Sequence, residues 1–298
     1  MKTIVECVAN FSEGRREKIV DQIVDSIAGF SGVDVLGAES DMDHNRSVVT
    51  FAGAPHAVAN AAFASVQVAA TMIDMNQHRG QHPRIGAADV IPFVPLRNVT
   101  MAECVELARS LGARVGEALQ LPVFLYAEAA LQEENRELSA IRRGGYESLR
   151  ESIKTGVAPQ PDFGPGFLHS PGGSVIGARD ILIAFNVYLA TTDVSIAKAI
   201  ARAIRQSSGG MPSVKALGFF VKGRAQVSLN LTDYRVTSMS AAFERIRQLA
   251  AEYGVGIDGS EIIGLIPGAA LDGRSAAELQ IMNYGPDRIL ETFLDEAQ

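Results

Sequence analysis

Ile4-Val5-Glu6-Cys7-Val8-Ala9-Asn10-Phe11 is an almost unbroken apolar run, and the residues behind it change period. Eight residues are too few for a stable helix, so the run reads as a strand buried on both sides. Over residues 15–28, Ile19, Val20, Ile23, Val24 and Ile27 recur at three- and four-residue steps, which is helical spacing. Residues 33–38 and 47–52 read as two further strands. They are joined by the polar turn Ser40-Asp41-Met42-Asp43-His44-Asn45-Arg46. The Ala- and Val-rich stretch 55–73 is helical, and 90–94 is again a strand. The order β-α-β-β-α-β is the split βαβ unit.

The same order recurs downstream. Residues 181–189 predict a strand and 194–205 a helix with Ile196, Ala197, Ile200, Ala203 and Ile204 on one face. Residues 214–221 and 225–231 form a strand pair around Lys222-Gly223-Arg224, 239–253 a helix, and 262–266 a last strand. Between the two units, Thr100 opens a helix with Glu103 as its capping box, 123–126 is a strand, and 137–154 is a helix interrupted at Gly144-Gly145. The expected fold is α/β (α+β): two βαββαβ-type subdomains, residues 1–178 and 179–298, with mostly antiparallel sheets, packed helices and a ligand cleft between them. The segment 156–173 holds four prolines and five glycines. It reads either as an interdomain linker or as an ordered loop lining a cleft. Phe163, Phe167, Leu168 and His169 favour the loop, because a solvated linker has little use for them.

Composition narrows the function. The chain has 298 residues, of which 47% are apolar and 20% charged, the profile of a compact globular protein. A net charge of −7 argues against a general nucleic-acid binder. Any anionic ligand must be drawn by a local cluster of Arg and Lys. The two cysteines, Cys7 and Cys104, sit in apolar runs and read as reduced core residues. The N-terminus lacks the features of a signal peptide, and no run approaches the roughly 18 apolar residues of a membrane span. The cytoplasm is the default location.

The chemistry concentrates in His78-Arg79-Gly80-Gln81-His82-Pro83-Arg84-Ile85-Gly86-Ala87-Ala88-Asp89. Histidine exchanges protons near neutral pH, and arginine grips carboxylates through two N–H groups. Pro83 pushes His82 toward an extended backbone and stiffens the loop. Either His82 is a proton carrier or it is bonded to local backbone. His78 and His82 are spaced like metal ligands, but no acidic third ligand lies near, so the zinc signal is weak. The turn 41–46 needs no function, yet it could supply an acid to orient His82 and an arginine for substrate. Asn186 and Asn230 sit inside apolar strands, where each is a structural tie or a ligand contact.

Several motifs in register resemble one family. Val5-Glu6-Cys7-Val8-Ala9-Asn10-Phe11-Ser12-Glu13-Gly14, Gln81-His82-Pro83-Arg84-Ile85-Gly86-Ala87, Pro161-Asp162-Phe163-Gly164-Pro165, Gly177-Ala178-Arg179 followed by Leu182-Ile183-Ala184-Phe185-Asn186, and Ala225-Gln226-Val227-Ser228 followed by Asn230-Leu231 are similar to the glutamate formimidoyltransferase family. The matches run in order over nearly the whole chain.

The resemblance implies formimino transfer from N-formimino-L-glutamate to tetrahydrofolate in histidine degradation. Tetrahydrofolate is then a co-substrate, and no metal is called for. The resemblance also implies a homodimer. It makes His82, in the His-Pro-Arg motif, the catalytic residue. It places folate binding from Phe163, Gly164 and Pro165 onward, which here extends over Gly166, Phe167, Leu168, His169, Ser170, Pro171 and Gly172. Asn10, Arg46, Arg84, Arg179, Asn186 and Asn230 are candidates for substrate binding, with Arg46, Arg84 and Arg179 the candidates for holding the glutamate carboxylates. Relatives with a second, cyclodeaminase domain are longer than this chain, so a separate cyclodeaminase is expected to process the product. The competing expectations are formyl transfer from N-formylglutamate, folate binding without catalysis, and a metal-dependent hydrolase using His78 and His82.

Overall fold

The computed structural model describes residues 2–156 and 159–296. Its chain divides into two compact units, Met1–Arg179 and Asp180–Gln298.

In the first unit, β1 (Ile4–Phe11) leads into α1 (Glu17–Ala28), then β2 (Val33–Asp41), β3 (Arg46–Gly53), α2 (Pro55–Met72) and β4 (Ala88–Arg97). These are the strands and helices that hydrophobic period predicts. Ile19, Val20, Ile23 and Ile27 of α1 are buried, one face of the helix. The unit continues with α3 (Met101–Ala118), β5 (Val123–Ala127), α4 (Leu138–Ile141), α5 (Gly145–Lys154) and β6 (Ser174–Ala178). At the start of α3, Thr100 accepts from Glu103 N while Glu103 accepts from Thr100 N, the reciprocal capping box. Gly144, left-handed at φ 79°, separates α4 from α5.

The sheet order is β2-β3-β1-β4-β6-β5. The first four strands are antiparallel, whereas β6 lies parallel to both β4 and β5. Nothing in the sequence reading foresaw β6. It has five residues, follows a Gly- and Pro-rich loop and contains Gly177, so its local strand signal is weak. Tertiary pairing makes it a strand. A Cβ on Gly177 would lie 2.4 Å from the Tyr126 carbonyl oxygen, so the close approach of β5 requires glycine there. Because β6 belongs to this sheet, the segment 156–173 lies inside the first unit and is no linker between units. Its Val157 and Ala158 lie outside the described residues.

The second unit repeats the split βαβ order: β7 (Ile183–Leu189), α6 (Val194–Ile204), β8 (Val214–Val221), β9 (Arg224–Leu231), α7 (Met239–Glu252) and β10 (Ile257–Ile263). Its sheet, β10-β7-β9-β8, is antiparallel throughout. Ile183, Phe185, Val187 and Leu189 join Ile200, Ile204, Phe243 and Ile246 of the helices in one core. The last strand begins five residues before the expected 262. Gly259, at φ 138°, weakens the local strand signal, but pairing of Ile257 with Leu189, Gly259 with Tyr188 and Ile262 with Phe185 carries the strand through it. A short helix, α8 (Leu290–Glu296), follows. Cys7 and Cys104 are both free and buried. No helix among the described residues is long and apolar enough to cross a membrane.

Candidate active site

The chain from α2 to β4 forms a loop whose stem is fixed by His78. The ring Nε2–H donates to the Asn45 carbonyl at 2.8 Å, and Nδ1 accepts from Arg84 Nε at 3.0 Å. A carbonyl only accepts and a guanidinium only donates, so the ring is neutral and its tautomer is set. Burial also holds its pKa below the ordinary value. Arg84 grips both Glu147 oxygens, at 2.8 and 2.7 Å. Gly80 then lays the loop against the 41–46 turn, where a Cβ would meet the His44 carbonyl oxygen at 2.1 Å. Both nitrogens of His78 are thus committed to structure.

His82 stands at the loop tip, half-buried. Its Nδ1 is 2.8 Å from the Pro83 carbonyl and its Nε2 is 3.0 Å from Arg46 Nη1. The same reasoning gives a neutral ring with the proton on Nδ1 and the lone pair of Nε2 facing a guanidinium. The acceptor for Nδ1–H is therefore backbone, in the place the sequence offered to an acid of the 41–46 turn. Of the two acids in that turn, Asp41 pairs with His44 at 3.1 Å, and its pKa falls to about 2 although burial opposes the shift. The His44 ring stands edge-on to His82, with centroids 5.9 Å apart. Burial, then the nearby Arg46 and Arg142 charges, holds the His82 pKa well below the ordinary histidine value.

Arg142 was not a sequence candidate. It caps α4 and pairs with the buried Asp89, whose other oxygen accepts from Ile85 N at 2.7 Å and so closes the loop. Burial and the adjacent Arg142 lower the Arg46 pKa to about 10. Asp89 was legible as a charge at the mouth of an apolar strand. Arg142 lies 53 positions away from it, and no local signal joins them.

The 163–172 segment packs onto this loop. Gly86 and Gly172 form a bridge, Ala87 N donates to the Pro171 carbonyl at 2.8 Å, and Met75 N donates to the Ser170 carbonyl at 2.7 Å. A Cβ on Gly86 would meet the Gly173 carbonyl oxygen at 1.9 Å. Phe163 lies against Gly112 and Gly116 of α3, and the Gly164 φ of 81° turns the chain away. Leu168 is buried, which at about 1.5–3 kcal/mol anchors the segment. Phe167, 47% exposed, stands T-shaped to His169 with ring centroids 4.5 Å apart. Gly164, Gly166, His169 and Ser170 are exposed and Pro165 is half-buried.

The remaining candidates sit elsewhere. Asn10 donates to the Val8 carbonyl on β1. Arg179 hydrogen-bonds Tyr126 and lies near Glu6, whose carboxyl burial pushes up to about 7 against the pull of Arg179. Asn186 donates to Glu261 at 3.0 Å, alongside Tyr188 at 2.8 Å, and Asn230 is exposed on β9 of the second unit. The structure therefore brings together His82, Arg46, Arg84 and the 163–172 segment in the first unit.

Comparison with known proteins gives one answer along the chain. The family described as "Formiminotransferase domain, N-terminal subdomain" matches residues 4–179, and "Formiminotransferase domain" matches 184–283. The chain is 49% identical to the glutamate formimidoyltransferase of Thermoplasma acidophilum, over 99% of its own length and 98% of that protein's. It is 40% identical to that of Streptococcus pyogenes serotype M1, over 99% of both. The formimidoyltransferase-cyclodeaminase of Dictyostelium discoideum is 44% identical over 90% of the chain, which spans 51% of that longer protein. By two consecutive family matches and these full-length identities, the chain belongs to the formiminotransferase family.

Proposed function

We propose that the chain is a glutamate formimidoyltransferase, moving the formimino group of N-formimino-L-glutamate to N5 of tetrahydrofolate. The products are 5-formimidoyltetrahydrofolate and L-glutamate, as in histidine degradation. The observation that carries this reading is the neutral His82 ring with its proton fixed on Nδ1. It stands on a loop hydrogen-bonded to the 163–172 segment.

The N5 amine attacks the formimino carbon and gives a tetrahedral intermediate. A proton must leave N5, and the glutamate nitrogen must gain one before the C–N bond breaks. His82 Nε2, when uncovered, takes the first proton and returns it to the leaving nitrogen. Such transfers typically contribute about 10²–10⁴-fold, and holding the two substrates in reach adds to that. The low pKa of His82 keeps the ring in the base form at neutral pH. Phe167, exposed beside His169, offers an aromatic face on which a pterin or aminobenzoyl ring can stack. Asn10, Arg46, Arg84, Arg179, Asn186 and Asn230 remain substrate-binding candidates, the three arginines for the donor's carboxylates. They differ in how firmly each is already engaged. Arg84 is bound to Glu147, whereas Arg46 touches the reacting ring itself.

A cytoplasmic homodimer completes the proposal. Sedimentation of the purified chain tests the dimer. His82→Ala should keep the fold and folate binding and lose most turnover; wild-type-like glutamate release would remove His82 from the reaction. N-formimino- and N-formyl-L-glutamate differ only by NH against O, so release from each at equal concentration separates formimino from formyl transfer. Absence of release with both would leave a folate-binding protein.

A further inference from the structure

Arg46 is bonded to an unusual partner. Its Nη1–H points at the lone pair of a neutral imidazole, a weaker acceptor for a cation than a carboxylate. Among the described residues, no carboxylate lies within ion-pair distance of Arg46. Asp89 is taken by Arg142 and Asp41 by His44; with Glu39 they act on Arg46 only through longer-range charge. Beside it stands a second guanidinium, Arg142, whose Nε is buried without an acceptor. Two like charges lie within electrostatic reach of each other, and one of them has an N–H short of a partner. An anion placed between them would satisfy both.

The bond has a chemical consequence. While Arg46 donates to Nε2, that nitrogen cannot accept the proton of an attacking amine. Resting on the function proposed above, we propose that a carboxylate of the glutamate donor binds between Arg46 and Arg142 and draws Arg46 off His82 Nε2. Donor recognition then uncovers the base. Arg46 is a positioning residue in this scheme, acting on the reaction through His82. An enzyme with only the folate bound keeps its base covered.

Among the described residues, the groups facing His82 include Arg46 from β3, Arg142 from the end of α4, His44 from the β2–β3 turn and the Pro83 carbonyl; the charges of Asp41, Asp89 and Glu39 act on Arg46. Removing Arg46 from contact takes away the nearest positive charge and an N–H on the lone pair. Both changes make the ring more basic.

The test is the titration of His82 by NMR of protein carrying isotopically labelled histidine. In the wild type, saturating L-glutamate should raise the His82 midpoint by about one pH unit, tenfold in basicity, and uncharged glutaramide should not. Arg46→Gln should raise the midpoint without any ligand, lose the response to L-glutamate and weaken L-glutamate binding about tenfold or more. Arg46→Lys should restore part of the binding and part of the response. Arg142→Lys, which keeps a charge for Asp89, should weaken L-glutamate binding while leaving the ligand-free midpoint nearly as in the wild type. A midpoint unmoved by L-glutamate in the wild type would overturn the proposal, and so would wild-type L-glutamate affinity in Arg46→Gln. The wild-type titration needs no variant to fold. It is also separable from the function itself: full turnover in His82→Ala would refute the catalytic role and leave the titration result standing.

Discussion

His78 and His82 lie four residues apart on one loop, and each ring donates to a backbone carbonyl and accepts from an arginine. Their bonds are alike, but their surroundings are not. His78 is buried, and its arginine is balanced by both oxygens of Glu147. His82 is half-open, and its arginine, without an ion-pair carboxylate among the described residues, feels the charge of a second guanidinium. What separates the two histidines is the counter-charge one bond further out: it is balanced beside His78, and on the proposed function its absence beside His82 is what lets a ligand rearrange the ring's partner.

The strongest way to break this contrast is to exchange the losses. His82→Ala should cost about 10²–10⁴-fold in turnover and shift the melting temperature little. His78→Ala should do the reverse. It leaves the buried Asn45 carbonyl without its donor, which costs about 1–3 kcal/mol of stability, read from denaturant unfolding. If the two variants lose turnover equally, the contrast fails. Gly86→Ala tests whether the two loops must touch. Its methyl would overlap the Gly173 carbonyl, so about 1–3 kcal/mol of stability should be lost. Folate affinity, measured by fluorescence titration, should fall with it.

Thr100→Ala, remote from both histidines, should cost about 1 kcal/mol through the lost cap and leave turnover unchanged. The smallest effect sharpens the comparison through pH. Arg84 holds the Glu147 carboxyl down at about 2, so the pair's contribution is complete above the ordinary glutamate pKa of about 4.3. It is lost as pH falls through the folded value near 2. Glu147 is mostly exposed, so less than about 1 kcal/mol is at stake. Glu147→Gln should flatten that acid window in melting experiments. His82 acts in a higher window. Its folded pKa is lowered, so its contribution is full above about 6.5 and declines below it, and His82→Ala should flatten that slope.

Much of the fold was legible because the strong elements carry their own period. β1, β8 and the one-sided helices α1, α6 and α7 follow from apolar spacing alone, and Thr100-x-x-Glu103 announces its cap. β6 was invisible because its five residues gain strand character only from neighbours on both sides. β10 was placed too late because Gly259 weakens its local strand signal and pairing with β7 supplies the rest. In the site, His82 and the aromatic 163–172 segment were readable as residue types without structural reason to be idle. Arg142 was not, since an arginine ending a four-residue helix looks like any solvated charge.

The sequence by itself determined which side chains could do chemistry and roughly which elements carry them, because side-chain pKa, apolar period and capping act over a few neighbouring residues. Only the tertiary structure decided the partners: Arg46 on His82, Arg84 on His78, Arg142 on Asp89, and the Gly86–Gly172 bridge that joins two loops. Those pairings join residues between 6 and 86 positions apart. The reactivity of a ring depends on charges at contact distance, and contact between distant positions is created by folding.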